Sequence, residues 1–192
     1  MNARGTMVQC LPAVFLLLGC VQIARSAYIP AKAAAAQLLL DRAFDRAMQG
    51  EQRARPWSWA DTWVSAKIEI PRLGASTVAL ESASGQALAF GPGHVLGSAE
   101  VGEPGTSVYA AHRDTHFRYL RDVQIGDVIR VTRVGQRTFN YRVTGTRIAP
   151  HDASGIEREC EGTSTLALVT CYPFEAITHG PERYIVEAAL EQ

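Results

Sequence analysis

The apolar residues of this chain change period near Asp61, and that change restricts the fold more than any other feature of the sequence. Val64, Ala66, Ile68 and Ile70 alternate with Ser65, Lys67 and Glu69, and Pro71 follows. Successive strand side chains point to opposite faces, so this is a half-buried strand ended by a proline. The same period predicts further strands near 76–81, 86–90, 106–111, 127–134, 138–148, 164–170 and 183–189, with Gly135 and Gln136 turning a hairpin. These runs amount to seven or eight short strands without sustained alternation of strand and helix. A doubly wound sheet is therefore disfavoured, and a closed barrel or sandwich of about 130 residues is expected. A domain of that size buries a sufficient core without disulfides.

Upstream of Asp61 the pattern is helical. Residues 31–50, AKAAAAQLLLDRAFDRAMQG, are rich in good helix formers and stop at Gly50. Lys32, Gln37, Asp41, Arg42, Asp45, Arg46 and Gln49 recur every three to five positions and leave an Ala/Leu/Phe face. That face can pack on the domain or lie on a bilayer, and we expect the helix to cover part of the barrel. Arg53–Pro56 reads as a polar linker. Trp57, Trp59 and Trp63 follow it, a cluster suited to a membrane interface or to packing at a barrel edge.

Val8 to Ala24 is an uncharged run of seventeen residues, the length of a short membrane span. An uncleaved anchor is the expectation, because the run is long for a signal-peptide core and no clean small-x-small site follows before Tyr28. A cleaved signal peptide remains the rival, and Leu17–Cys20 approximates a lipobox that would lipidate Cys20. Charge does not fix the orientation, since Arg25 and Lys32 follow the run and only Arg4 precedes it. The expected organisation is a signal-anchor at 1–27, a membrane-proximal helix and linker at 28–60, and a β-barrel domain at 61–192.

Among 192 residues, 19 basic side chains balance 19 acidic ones, and the pI is near 7.0. Such a balance leaves no basic footprint for nucleic acid. The charge is uneven, however. Residues 1–60 carry seven Lys/Arg and three Asp/Glu, leaving twelve and sixteen for the rest, so the balances are +4 and −4.

Three side chains carry the candidate chemistry. Cys171 ends the apolar run STLALVTC and is followed by YPF, which puts a thiol at the end of a rigid strand and the start of a loop. Filling space is the other common role of a cysteine. His112 ends the strand Val108–Ala111 and enters a polar loop, where it could hand a proton to a leaving amine. Arg183 opens the final strand, and its permanent charge could stabilise an oxyanion and favour a neighbouring thiolate. Cys10 and Cys20 lie in the apolar run, so only Cys160 and Cys171 could form a disulfide within the domain, and that bond would silence Cys171.

The ordered set His112 in AAHRDTHFRYL, Cys171 in TLALVTCYPF and Arg183 in ERYIV resembles the sortases, whose signature is TLxTC with an upstream His and a downstream Arg. GPGHV at 91–95, GEPGTSVYAAHRD, IGDVI at 125–129 and YRVTGTRIAP fit in the same order, so the resemblance covers about residues 61 to 192. One departure is visible: the signature is extended to TLALVTC, and aligning LVTC leaves Thr170 and Cys171 as the matching pair. The YIPAKAAAAQLLLDRAF, GPGH and TCYPF stretches are similar to the Gram-negative, marine proteobacterial type, usually encoded beside one dedicated substrate.

The resemblance implies a mainly β protein, a closed eight-stranded barrel with an N-terminal membrane-anchor helix and a following amphipathic helix. It implies a membrane-anchored cysteine transpeptidase of the inner membrane with its catalytic domain on the periplasmic side. Cys171 would attack a sorting signal of the Leu-Pro-X-Thr-Gly kind, His112 would move the proton, Arg183 would hold the oxyanion, and Thr170 would help position substrate. The partners implied are a substrate protein with a C-terminal signal, an amine acceptor and the membrane, with no cofactor, metal or nucleic acid.

Other readings are weaker. His112 and His116 stand four apart, but Arg113 replaces the Glu of an HExxH zinc motif and the flanking strand opposes a helix. Val169 and Thr170 before the cysteine disfavour the Ser-His-Gly-Cys stretch of L,D-transpeptidases. His94 is expected to hydrogen-bond within its Gly/Pro turn. Glu157, Glu159 and Glu161 read as a solvated acidic run. The alternative from a different class is a non-catalytic, membrane-tethered barrel that binds a peptide or scaffolds an assembly, with Cys171 structural.

Overall fold

The computed structural model describes residues 35–135, 137–157, 162–176, 178 and 180–191. The chain forms two compact units, Met1–Leu38 and Leu39–Gln192, and only residues 35–38 of the first, which are helical, are described. Among the described residues no helix is long and apolar enough to cross a membrane. The apolar run Val8–Ala24, Cys10, Cys20 and Cys160 lie outside them.

Eight strands close into a barrel: β1 (Val64–Ile70), β2 (Ala75–Leu80), β3 (Gly93–His94), β4 (Gly105–Ala110), β5 (Val128–Arg133), β6 (Thr138–Pro150), β7 (Ser164–Tyr172) and β8 (Glu182–Leu190). Their order around the wall is β1-β2-β3-β4-β7-β8-β6-β5. The β1 alternation sends Ala66, Ile68 and Ile70 inward, where they meet Tyr109, Ile129, Val131, Tyr141, Val143, Leu166, Leu168 and Val186. This inner face is the main core. The Tyr141 hydroxyl lies within it and accepts from the Gly102 N–H at 2.8 Å, so the ring is buried without an orphaned polar end.

The helical residues 35–48 (α1) present Leu40, Ala43, Phe44 and Ala47 on one stripe, the i, i+3, i+4, i+7 spacing of a helix face. These pack with Val64, Val78 and Leu80, so α1 covers the outside of β1 and β2. The expected covering helix is present, and it explains why residues 77–80 are buried on both faces of the sheet. Gly50 follows at φ 104°, a left-handed conformation that ends a helix without steric cost.

The strand expected at 86–90 is instead a single helical turn, α2 (Gly85–Leu88). Ser84 accepts a hydrogen bond from the Ala87 N–H, and this cap turns the short Gln-Ala-Leu run into a helix start. The strand that follows is only Gly93–His94, paired in parallel with β2 and antiparallel with β4.

Candidate active site

Three adjacent strand ends bring the sequence-selected residues together. β4 and β7 run parallel and in register from Gly105 opposite Ser164 to Ala110 opposite Val169. The ladder continues one bond further, with the Ala111 N–H donating to the Val169 carbonyl at 3.1 Å. His112 follows Ala111 directly, so it leaves β4 at the same end of the pair at which β7 reaches Cys171. On the other side of β7, Cys171 is paired directly with Arg183 of β8.

Alternation then decides which face these side chains occupy. Leu166, Leu168 and Ala111 belong to the inner core, whereas Val108, Ala167, Val169 and Ile185 form an outer apolar cluster with Val95, Ala149 and Ile156. Cys171, two residues after Val169, and Arg183, two before Ile185, continue that outer face. His112, Cys171 and Arg183 are all half-buried, and Cys171 is a free thiol.

The supporting contacts are mostly to backbone. Arg183 Nη1 donates to the carbonyls of Gly180 at 3.0 Å and Glu182 at 2.9 Å, which fixes the guanidinium at the entrance of β8. Thr170 points inward and is buried. Its Oγ1 donates to the Ala111 carbonyl at 2.8 Å, tying the end of β7 to the residue before His112. Next to Cys171 in the chain, Tyr172 stacks on Tyr184 at 6.3 Å, Phe174 meets the two rings edge-on at 6.3 and 5.2 Å, and the Arg121 guanidinium lies 5.2 Å from the Phe174 ring.

The sequence reading gave Arg113 no role beyond spoiling a zinc motif. It is buried, and its Nη2 donates to the carbonyls of Ala176 at 2.5 Å and Thr178 at 2.8 Å in the β7–β8 connection. The available signal was its position directly after His112. His116 sits lower in the same loop. Burial lowers its pKa, a hydrogen bond to the Ala89 backbone opposes this, and the nearby His112 lowers it further. A lowered pKa keeps His116 neutral at pH 7.

His94 lies apart from this set, buried, with Nε2 on the Ala99 carbonyl at 3.1 Å and the Ser98 hydroxyl at 3.0 Å, within its own turn. Glu81 and Glu100 place ligand-type atoms within 4.8 Å of it. Burial, then the Glu100 charge, raises the Glu81 pKa. Arg133 pairs with Glu100 at 3.3 Å, so a cation of the chain itself already offsets part of this negative charge.

A thiol, an imidazole and a permanent cation at neighbouring strand ends can attack a carbonyl, move a proton and stabilise an oxyanion. The sequence model of the sortase domain matches residues 68–191. Sortase D of Bacillus subtilis (strain 168) is 33% identical over 119 residues, an alignment that spans 62% of this chain and 60% of that protein, less than two thirds of its length. Among solved structures, a Clostridium perfringens sortase D5 transpeptidase superposes with a TM-score of 0.61 at 24% identity, covering 79% of this chain and 89% of that one. Sortase C-1 of Actinomyces oris superposes with a TM-score of 0.60 at 26% identity, covering 66% and 73%. The family model spans most of the chain, and the barrel with its three aligned strand ends agrees with it: the chain belongs to the sortase family.

Proposed function

We propose that this chain is a cysteine transpeptidase that cleaves a C-terminal sorting signal and joins the new carboxyl end to an amine. The observation that carries this reading is the pairing of Cys171 with Arg183 across β7 and β8, at the end of β7 that runs alongside the end of β4 from which His112 follows. The Cys171 thiolate adds to the scissile carbonyl, and Arg183 stabilises the oxyanion as it forms. His112 protonates the departing amine, the C–N bond breaks, and a thioester remains on Cys171. An incoming amine adds to that thioester, His112 takes its proton, and the thiolate leaves. Thr170 contributes to substrate positioning through the strand ends that it ties together.

The outer face supports a peptide lying along β7. From Cys171 the apolar cluster leads back to a pocket of about 240 Å³ lined by Thr106, Ile156, Thr165 and Ala167. Ala167 is four residues before Cys171, about 13 Å along an extended chain. A signal of the Leu-Pro-X-Thr-Gly kind, bound extended with its scissile carbonyl at Cys171, would carry its leading apolar residue three residues, about 10 Å, back towards that pocket. We assign the apolar run Val8–Ala24 as the anchor of a periplasmic domain at the inner membrane. The resemblance of the N-terminal and TCYPF stretches to the Gram-negative type further suggests one dedicated substrate protein.

The test is mass spectrometry of the full chain, wild type and Cys171→Ala, after incubation with peptides covering Leu-Pro-X-Thr-Gly variants. A thioacyl adduct or cleaved peptide that disappears in the variant is the expected result. No adduct with any peptide, together with a Cys171 that resists iodoacetamide in the folded protein, overturns the enzymatic reading in favour of a peptide-binding barrel.

A further inference from the structure

Arg113 is the one buried Lys or Arg among the described residues. Nη2 bridges the carbonyls of Ala176 and Thr178, while the equally buried Nη1 has no hydrogen-bond partner. Burying a guanidinium without a counter-ion costs stability, so an apolar side chain of similar size would serve the core better. What the guanidinium offers instead is an Nη2 amino group, on a long arm, whose two in-plane N–H bonds reach both carbonyls.

The place of those two carbonyls gives the bridge its purpose. The β7–β8 connection leaves the barrel after Tyr172, one residue past Cys171, and returns at Glu182, one residue before Arg183. It is also closed on itself, since a Cβ on Gly180 would lie 2.9 Å from the Tyr172 carbonyl oxygen. The Gly180 carbonyl in turn accepts from Arg183. Arg113, meanwhile, adjoins His112 in the backbone. We propose that Arg113 is a positioning residue: by clamping the β7–β8 connection onto the turn that carries His112, it holds Arg183 and the mouth of Cys171 in fixed relation to the imidazole. The inference rests on the proposed reading of those three residues.

The test compares the full-length wild type with Arg113→Met, which keeps bulk and burial but removes both hydrogen bonds, and with Arg113→Lys, whose ammonium can still donate but sits on a shorter arm without the planar amino geometry. Amide hydrogen exchange across 173–181 is expected to quicken in Arg113→Met while the β7–β8 ladder keeps its protection, which separates a loosened loop from an unfolded barrel. Turnover of a sorting peptide is expected to fall in kcat by about 100-fold, the scale of a misplacement near 1 Å, with KM changed far less. Arg113→Lys should recover part of the kcat. Unchanged loop exchange in Arg113→Met, or a loosened loop with wild-type kcat, overturns the proposal. If the wild type processes no sorting peptide, it is the functional reading that fails. The rate of Cys171 alkylation by iodoacetamide then replaces kcat, and an equal rate in wild type and Arg113→Met overturns the positioning role.

Discussion

The hydroxyl of Thr170 joins β7 to β4 one residue before His112, and it does so from inside the barrel, where water cannot replace it. Thr170→Val keeps nearly the same shape but leaves the Ala111 carbonyl without this donor. The expected cost is about 1–3 kcal/mol of stability, read as a lower urea midpoint, together with slower peptide turnover. Thr170→Ser, which keeps the hydroxyl, should retain most of both. Equal midpoints for the Val variant and wild type would remove the hydrogen bond from the account. Residues of this kind mark the limit of what the sequence discloses. Cys171, His112 and Arg183 could be singled out because their side chains have reactive or charged chemistry and stand at strand ends. Arg113 and the bond made by Thr170 could not, because their partners are backbone carbonyls 59 to 65 residues away, which no side-chain motif encodes.

At the scale of elements, the two-residue period placed most strands, and the i, i+3, i+4, i+7 stripe of Leu40, Ala43, Phe44 and Ala47 placed the packing face of α1. The reading failed between β2 and β4. There a capped turn replaces the expected strand at 86–90, and β3 is too short to show a period. What holds β3 is close backbone approach. A Cβ on Gly93 would lie 2.3 Å from the Ser82 carbonyl oxygen and 2.5 Å from the Ala83 Cα, and neither backbone atom can swing aside. Gly93→Ala is therefore expected to push β3 away from the preceding loop and cost about 1–3 kcal/mol, the range for overpacking, seen in the denaturant midpoint. Because Gly93 pairs with Ala110, amide exchange in β4 should rise in the same variant. A variant with wild-type midpoint and exchange would mean that the loop yields freely.

For the whole molecule, the face that carries Cys171 and Arg183 depends on closure of the sheet. The parallel pairing of β4 with β7 requires the chain to travel through β5 and β6 between them, and those two strands complete the wall against β1. Closure leaves no open edge. Just past the β1–β5 seam, Arg72 holds Asp127 through Nε and Nη2 and also donates to the Asp122 carbonyl at 2.6 Å. The hydrogen bond from Arg72 is the largest cause of a lowered Asp127 pKa, opposed by burial and assisted by the Gln124 N–H and the Arg72 charge. The ordinary value is 3.8, so the unfolded chain takes up this proton before the folded one does. The stability from the pair is then complete above about pH 4 and is lost as pH falls through the lower folded pKa. Asp127→Asn removes the ionised partner at every pH. Its deficit against wild type, measured by denaturant midpoints from pH 7 downward, should be constant near neutrality and shrink in acid. A deficit that persists unchanged in acid would show that the seam is held by ladder and core alone.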